Sequence, residues 1–229
     1  MLYNEDAVRA NIRNRDGKRL FFLGKGDQLT SSARDFLNRE RIEIRPGEDA
    51  KIERYRLLSG GFLEEKPEHM THLNGDVLVP KNHPRIVFRG KMDTLEAELL
   101  LCQLESPELI TPVGQVLALA RRLIRCEVLE EPVKQEKLCG LTEEEQRKRS
   151  HFPQDYYSQP HFMPSVSDGK VILRLNRARC AAREAELAAV TAFSDREGNP
   201  TRPDILRALN RMSSMLYILM IQAKSQVRS

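Results

Sequence analysis

The chain has 229 residues, 40% of them hydrophobic and 31% charged, and 37 Lys plus Arg against 33 Asp plus Glu leave a formal charge of +4. Its longest unbroken apolar run is the seven residues 215–221, far short of the roughly 20 needed to cross a bilayer, so a membrane span is excluded. Residues 1–16 mix acids, bases and single apolar residues and lack the apolar segment of a secretory signal, which predicts a cytoplasmic protein. Bases and acids are interspersed, so the small positive balance does not mark a nucleic-acid binder. The four cysteines, Cys102, Cys126, Cys139 and Cys180, form no CxxC pair and read as reduced thiols.

In chain order, RLFFLG from Arg19, LTSSARDFLNRER from Leu29 and IEIRP from Ile42 read as strand, short helix and strand. Thr30 is the expected N-cap of that helix, and Pro46-Gly47 closes a small αβ appendage. Residues 48–75 keep no stable period and carry Gly60, Gly61 and Gly75, so they read as a connector, with the domain boundary near Gly75. Residues 76–229 then read as helical. Met92, Leu95, Leu99 and Cys102 make the seam of a first helix ended by Pro107. A second is expected from Thr111-Pro112, with Val113, Val116 or Leu117, Ala120, Leu123 or Ile124, and Glu127 on its seam. Thr142 and Glu145 form a capping-box pattern for a short polar helix ending near Ser150. Residues 170–193 have the most regular seam, Val171, Leu175, Ala178, Ala182, Ala185 and Ala189, and its alanines imply a close helix neighbour. The last helix, from Arg202 to about Lys224, repeats Ile205, Leu209, Met212, Leu216 and Leu219. The fold class expected is mainly α, a five-helix antiparallel bundle with an N-terminal αβ appendage.

Arg179, Arg183 and Glu186 stand at i, i+4 and i+7, on a stripe displaced by about 100° from the alanine seam. Two guanidiniums one turn apart can share a polyanion such as a phosphate chain; the bland alternative is a solvated face with an Arg183 to Glu186 pair. Residues 151–169, HFPQDYYSQPHFMPSVSDG, carry three prolines and four aromatics. They read either as an irregular flap over a flat apolar ligand or as a loop folded back on the bundle. His69 and His72 have possible ligand spacing, but no cysteine or third histidine stands nearby, so no metal site is expected. Neither a Walker loop nor a Ser/His/Asp motif is present.

Several segments resemble the ATP:corrinoid adenosyltransferases, most closely the ethanolamine-utilisation branch. These are THLNGDVLVPKNHPRIVFRGKMDTLEAEL from Thr71, GLTEEEQRKRSH from Gly140, RARCAAREAE from Arg177 and RPDILRALNRMSSMLYILM from Arg202, with GDQLTSSARDFL from Gly26. The resemblance implies transfer of the 5′-deoxyadenosyl group of ATP to reduced cobalamin by a homo-oligomer, usually a trimer with sites between subunits and a dimer as the alternative. ATP, magnesium and cobalamin are the implied ligands, and a reductase is the implied supplier of reduced corrinoid. It puts the phosphate-binding lysine on Lys81, the ATP-binding arginine on Arg183, the neighbouring glutamate on Glu186 and the ATP-contacting asparagine on Asn210. It further implies an ion pair between Asp93 and Arg179, and a corrinoid-shielding phenylalanine at Phe162. Three departures stand out. The TxTGDxGxT nucleotide loop is missing, with only Gly24 to Thr30 similar; Ser214 replaces the aspartate of the LSD ending; and no CCxxC metal cluster lies between Leu58 and His69. The rival reading is a non-catalytic corrinoid-binding or scaffold protein of an ethanolamine-utilisation microcompartment.

Overall fold

The structure, a computed structural model, describes residues 1–15, 18–47 and 55–226 and divides into two compact units, Met1–Arg54 and Tyr55–Ser229. In the first unit β1 (Leu2–Tyr3) precedes α1 (Glu5–Ala10), β2 (Arg13–Arg15), β3 (Lys18–Gly24), β4 (Gln28–Leu29), α2 (Ser31–Arg39) and β5 (Glu43–Gly47). Strand β3 pairs antiparallel with β2 and parallel with β5, while β1 and β4 form a separate parallel pair. Helix α2 is thus the crossover of a βαβ unit. Its N-cap is Thr30, whose Oγ1 accepts the Ala33 N–H at 3.3 Å. Val8, Phe21, Ala33, Phe36, Leu37 and Ile42 form the core. Pro46 and Gly47 end β5 rather than follow it, and a Cβ at Gly47 would come within 2.9 Å of the Gly24 nitrogen. Only glycine permits that approach.

The second unit opens with four strands, β6 (Tyr55–Leu57), β7 (Phe62–Leu63), β8 (Met70–Asn74) and β9 (Val77–Pro80), in the order β7-β6-β9-β8. The boundary between the two compact units therefore lies ahead of Gly75, and the expected connector contains three short strands. Its strands are too short to show a period; β6 and β8 pair with β9, and β7 pairs with β6. Residues 48–54 of that expectation lie outside the described residues. Gly75, at φ +49°, turns β8 into β9, and Leu73, Val77 and Val79 pack beneath.

Eight helices are described in all, and the bundle uses α3 (Pro84–Glu105), α4 (Pro107–Val128), α5 (Glu143–His151), α7 (Gly169–Ala192) and α8 (Pro203–Gln226), with α6 (Pro153–Tyr157) between. Charged pairs report the packing. Lys91–Glu184 and Arg177–Glu98 set α3 antiparallel to α7, and Asn210–Glu186 with Lys224–Asp168 set α7 antiparallel to α8. Arg121–Glu96 and Arg89–Glu127 do the same for α3 and α4. Every predicted seam residue of α3 is buried, and Ala178, Ala182, Ala185 and Ala189 of α7 are all at 0% exposure. Methyl-sized side chains let α7 approach α3 and α8 at once.

Two boundaries differ from the sequence reading. Helix α4 begins at Pro107, not at Thr111, and runs through Pro112. Pro107 occupies the first-turn position that needs no N–H, so Pro112 falls a turn later, where it forgoes one bond to the Glu108 carbonyl without ending the helix. Residues 151–169 are not wholly irregular, because Pro153 nucleates α6 and Val166–Asp168 form a 3-10 turn. The capping box at α5 forms as read: the Glu145 N–H donates to Thr142 Oγ1 at 3.2 Å, and the Thr142 N–H donates to Glu145 Oε2 at 2.7 Å.

Candidate active site

Helix α7 has two polar flanks. One, carrying Arg177 and Glu184, lies against α3; the other, carrying Arg179 and Glu186, lies against α8. Arg183 is exposed beside the second flank, and none of the described side chains pairs with it. Glu186 does not answer Arg183. Its Oε1 instead accepts the Asn210 Nδ2 of α8 at 3.1 Å. Asn210 Oδ1 accepts from Arg211 Nη2, and Arg211 Nη1 donates to the Glu143 carbonyl at 3.2 Å. Burial lowers the Arg211 pKa, with Glu143 opposing. Ser213 and Ser214 both turn their hydroxyls back to the Asn210 carbonyl, at 2.9 and 3.0 Å. Ser214 thus makes a local bond within its own helix.

This chain of bonds fixes the amide of Asn210 and one oxygen of Glu186 while leaving Arg183 available to a ligand. An open recess of about 480 Å³ continues from Asn210 and Arg211 to Glu143, Arg147, Leu206 and Arg207. Arg147, Arg207 and Arg211 with the Asn210 amide, beside Glu143 and Glu144, make an anion-receptive surface between α5 and α8.

Arg179 is half-buried. Its Nε and Nη2 donate to Asn176 Oδ1 at 3.2 and 3.0 Å, and its guanidinium lies 6.0 Å from the Tyr217 ring centroid. The expected Asp93–Arg179 ion pair is not made within the chain: Asp93 is exposed on α3, and α3 packs on the other flank of α7. Lys81 is exposed at the end of β9, its N–H donating to the His69 carbonyl at 2.9 Å. The α3–α7 register, Lys91 meeting Glu184 and Glu98 meeting Arg177, sets the start of α3 at Pro84 opposite Thr191, eight residues and so about 12 Å along the axis from Arg183, and Lys81 precedes that start. Arg179, Arg183, Glu186 and Asn210 thus come together, whereas Lys81 and Asp93 stand apart from them in one chain.

Just after Lys81, His83 caps α3, its Nδ1 accepting the Arg85 N–H at 3.3 Å. Burial, then the Arg85 and Arg89 charges, lower the His83 pKa. Glu127 of α4, at 0% exposure, accepts the Nε groups of both Arg85 and Arg89. This clamp holds the first turns of α3 to α4 and so fixes the chain that carries Lys81.

Phe162 is half-buried against the bundle core, and the Lys224 ammonium lies 5.4 Å from its ring centroid. Phe152 and Tyr156 are exposed, at 60% and 47%. Sequence reasoning passed over Tyr217, which packs against Arg179 and His161; its spacing of seven from Asn210 on one helix was the available signal. All four cysteines are free. Burial pushes the Cys102 and Cys139 thiols up to about 12 and about 11, so neither is a nucleophile near neutrality. Among the described residues no group of three or more His, Cys, Asp or Glu converges as a metal site, and none of the helices is long and apolar enough to cross a membrane.

The fold and site define a helical bundle that presents a pre-organised, anion-receptive stripe between two antiparallel helices. Residues 62–223 match the profile of the cobalamin adenosyltransferases, and the chain belongs to that family. It is 35% identical over 158 residues to the corrinoid adenosyltransferase EutT of Salmonella typhimurium, covering 69% of this chain and 59% of that one. With the corrinoid adenosyltransferase EutT of Escherichia coli it is also 35% identical, over 160 residues covering 69% and 60%. The matched region thus spans about three-fifths of the length of these curated relatives. No solved structure matches the chain.

Proposed function

We propose that the protein transfers the 5′-deoxyadenosyl group of ATP to the cobalt of reduced cobalamin. The observation that carries this reading is the unpaired Arg183 beside a Glu186–Asn210–Arg211 chain already set by hydrogen bonds, in a chain of the cobalamin adenosyltransferase family. The Co(I) lone pair attacks the 5′ carbon of ATP, the 5′ carbon–oxygen bond breaks, and its electron pair leaves with the triphosphate. Cobalt is thereby oxidised to Co(III). No side-chain nucleophile is required, which agrees with the raised Cys102 and Cys139 thiols. The protein must orient the 5′ carbon and stabilise the departing anion, work suited to Arg183, Arg179 and Asn210.

Magnesium fits the same face, because it takes one or two carboxylates together with substrate phosphates. Glu186, whose second oxygen carries no hydrogen bond among the described residues, would hold it, and the ion would neutralise phosphate charge. Lys81 joins this set if the site lies between subunits of a homo-oligomer, trimer or dimer, since one chain keeps it away from Arg183. Phe162 would close the corrinoid side and exclude water from the lower face of cobalt, easing reduction by a partner reductase. Residues 76–229 would hold the bundle that does this, and the product would serve ethanolamine breakdown, in the cytoplasm or at a microcompartment.

The test is anaerobic: protein, magnesium ATP and chemically reduced cobalamin, following the absorbance change as the cobalt–carbon bond forms, with Arg183→Ala alongside. The parent forms adenosylcobalamin, and Arg183→Ala loses at least about a hundredfold in turnover with an unchanged melting temperature. Unchanged turnover in the variant overturns the residue assignment. No product and no ATP binding in the parent would move the chain to the corrinoid-binding or scaffold reading.

A further inference from the structure

Asn210, Tyr217 and Lys224 are spaced by seven on α8 and so lie on one face, successive members about 10.5 Å apart along the axis. Across from them stand Glu186, Arg179 and Asp168. The Asn210 amide meets Glu186 at 3.1 Å, the Tyr217 ring meets the Arg179 guanidinium at 6.0 Å, and Lys224 is ion-paired with Asp168. The middle rung reaches outward to the segment that carries Phe162.

Its proton order follows from chemistry. His161 Nε2 is 3.0 Å from the His151 carbonyl, which can only accept, so Nε2 holds the ring proton. In the neutral imidazole Nδ1 is then an acceptor, and the Tyr217 hydroxyl, 2.8 Å away, donates to it. The imidazole and phenol rings stack at 5.7 Å with an interplanar angle of 10°. Tyr217 thus holds His161, the residue before Phe162, and Lys224 lies over the Phe162 ring. Residues 159–164 have no helix or strand, so side chains must supply the order that a backbone ladder supplies elsewhere.

We propose that Tyr217 and His161 are positioning residues that hold Phe162 as the wall of the corrinoid side of the site. This rests on the adenosyl-transfer reading above. A wall that keeps water from one face of a metal works only if it stays in place, and supports of this kind set its position. The hydrogen bonds run one way, from Tyr217 O–H to His161 Nδ1 and from His161 Nε2–H to the His151 carbonyl. Loss of the phenol hydroxyl leaves the His161 Nδ1 without its partner.

The experiment compares the parent with Tyr217→Phe, His161→Ala and His161→Asn. Tyr217→Phe keeps the ring over Arg179, and its corrinoid KM rises about five- to tenfold, the loss of roughly one hydrogen bond, while the KM for ATP stays within about twofold. The electron-spin spectrum of bound Co(II) corrinoid shifts toward the water-ligated form. His161→Ala follows the same pattern, and His161→Asn, whose amide oxygen can take the Tyr217 proton, returns to within about twofold of the parent. Amide exchange across residues 159–164 of the free protein accelerates about fivefold in Tyr217→Phe, a readout that needs no turnover. Unchanged corrinoid KM, spectrum and exchange in an active protein overturn this assignment alone. A rise confined to the ATP KM also overturns it, because Tyr217 would then act through Arg179. A parent that neither binds corrinoid nor forms product overturns the proposed function and this assignment with it.

Discussion

Replacing Glu127 by Gln keeps the size of the side chain and removes its charge. Glu127 is at 0% exposure and faces two guanidiniums whose side chains are only 17% and 19% exposed, so the change removes the one buried charge that two poorly hydrated cations share and leaves Arg85 only the Glu127 carbonyl and the exposed Glu130 besides the amide. Breaking a buried ion network from one side costs about 3–5 kcal/mol, much of it the penalty for stranded charge. At about 2–4 °C per kcal/mol for a unit of this size, the melting temperature falls by roughly 6–20 °C. Glu130 is the internal control: it also meets Arg85, at 3.5 Å, but its side chain is 65% exposed, and Glu130→Gln costs under about 0.5 kcal/mol. Urea unfolding at neutral pH followed by far-ultraviolet circular dichroism measures both, tryptophan being absent from the chain. A loss below about 1 kcal/mol in Glu127→Gln, or equal losses in the two variants, would refute the claim that burial of this carboxylate, rather than its mere pairing, fastens α3 to α4.

The start of α8 carries a pH-dependent element. The Arg202 guanidinium and the Val133 N–H hold the Asp204 carboxyl down at about 2 against its ordinary 3.8. A lowered folded pKa stabilises the protein fully above the ordinary value and ceases to do so as pH falls through about 2. Asp204→Asn therefore costs about 1 kcal/mol at neutral pH, discounted for its partial exposure, and the gap between parent and variant closes between about pH 4 and 2; a constant gap would refute this. On α7, Ala185→Leu inserts three carbons where α3 and α8 both press, and lowers stability by about 1–3 kcal/mol or more. Leu187→Ala, two residues on and 70% exposed, changes it by under about 0.5 kcal/mol; a denaturation midpoint equally sensitive at both positions would contradict the close packing of the alanine face.

Periodicity determined the helical half of this protein, because apolar seams at 3.6 spacing need only a neighbour to bury them, and α3, α7 and α8 bury the residues the sequence marks, except Val171 in the first turn of α7, which is half-buried. It even put Glu127 on a seam without saying why a carboxylate belonged there; Arg85 and Arg89, about forty residues earlier in the chain, answer that only in three dimensions. Strands of two to five residues between 55 and 80 were hidden, since a sheet this short is defined by cross-strand partners rather than by any period of its own. The stripe of Arg179, Arg183 and Glu186 was legible as spacing on one helix. Tertiary structure decided its pairing: Glu186 turns to Asn210 and leaves Arg183 open, while Arg179 faces Tyr217 and not Asp93. A linear pattern specifies which side chains share a face, but the partner of a charge is set by which helix lies across from that face, and that choice belongs to the packing of the whole bundle.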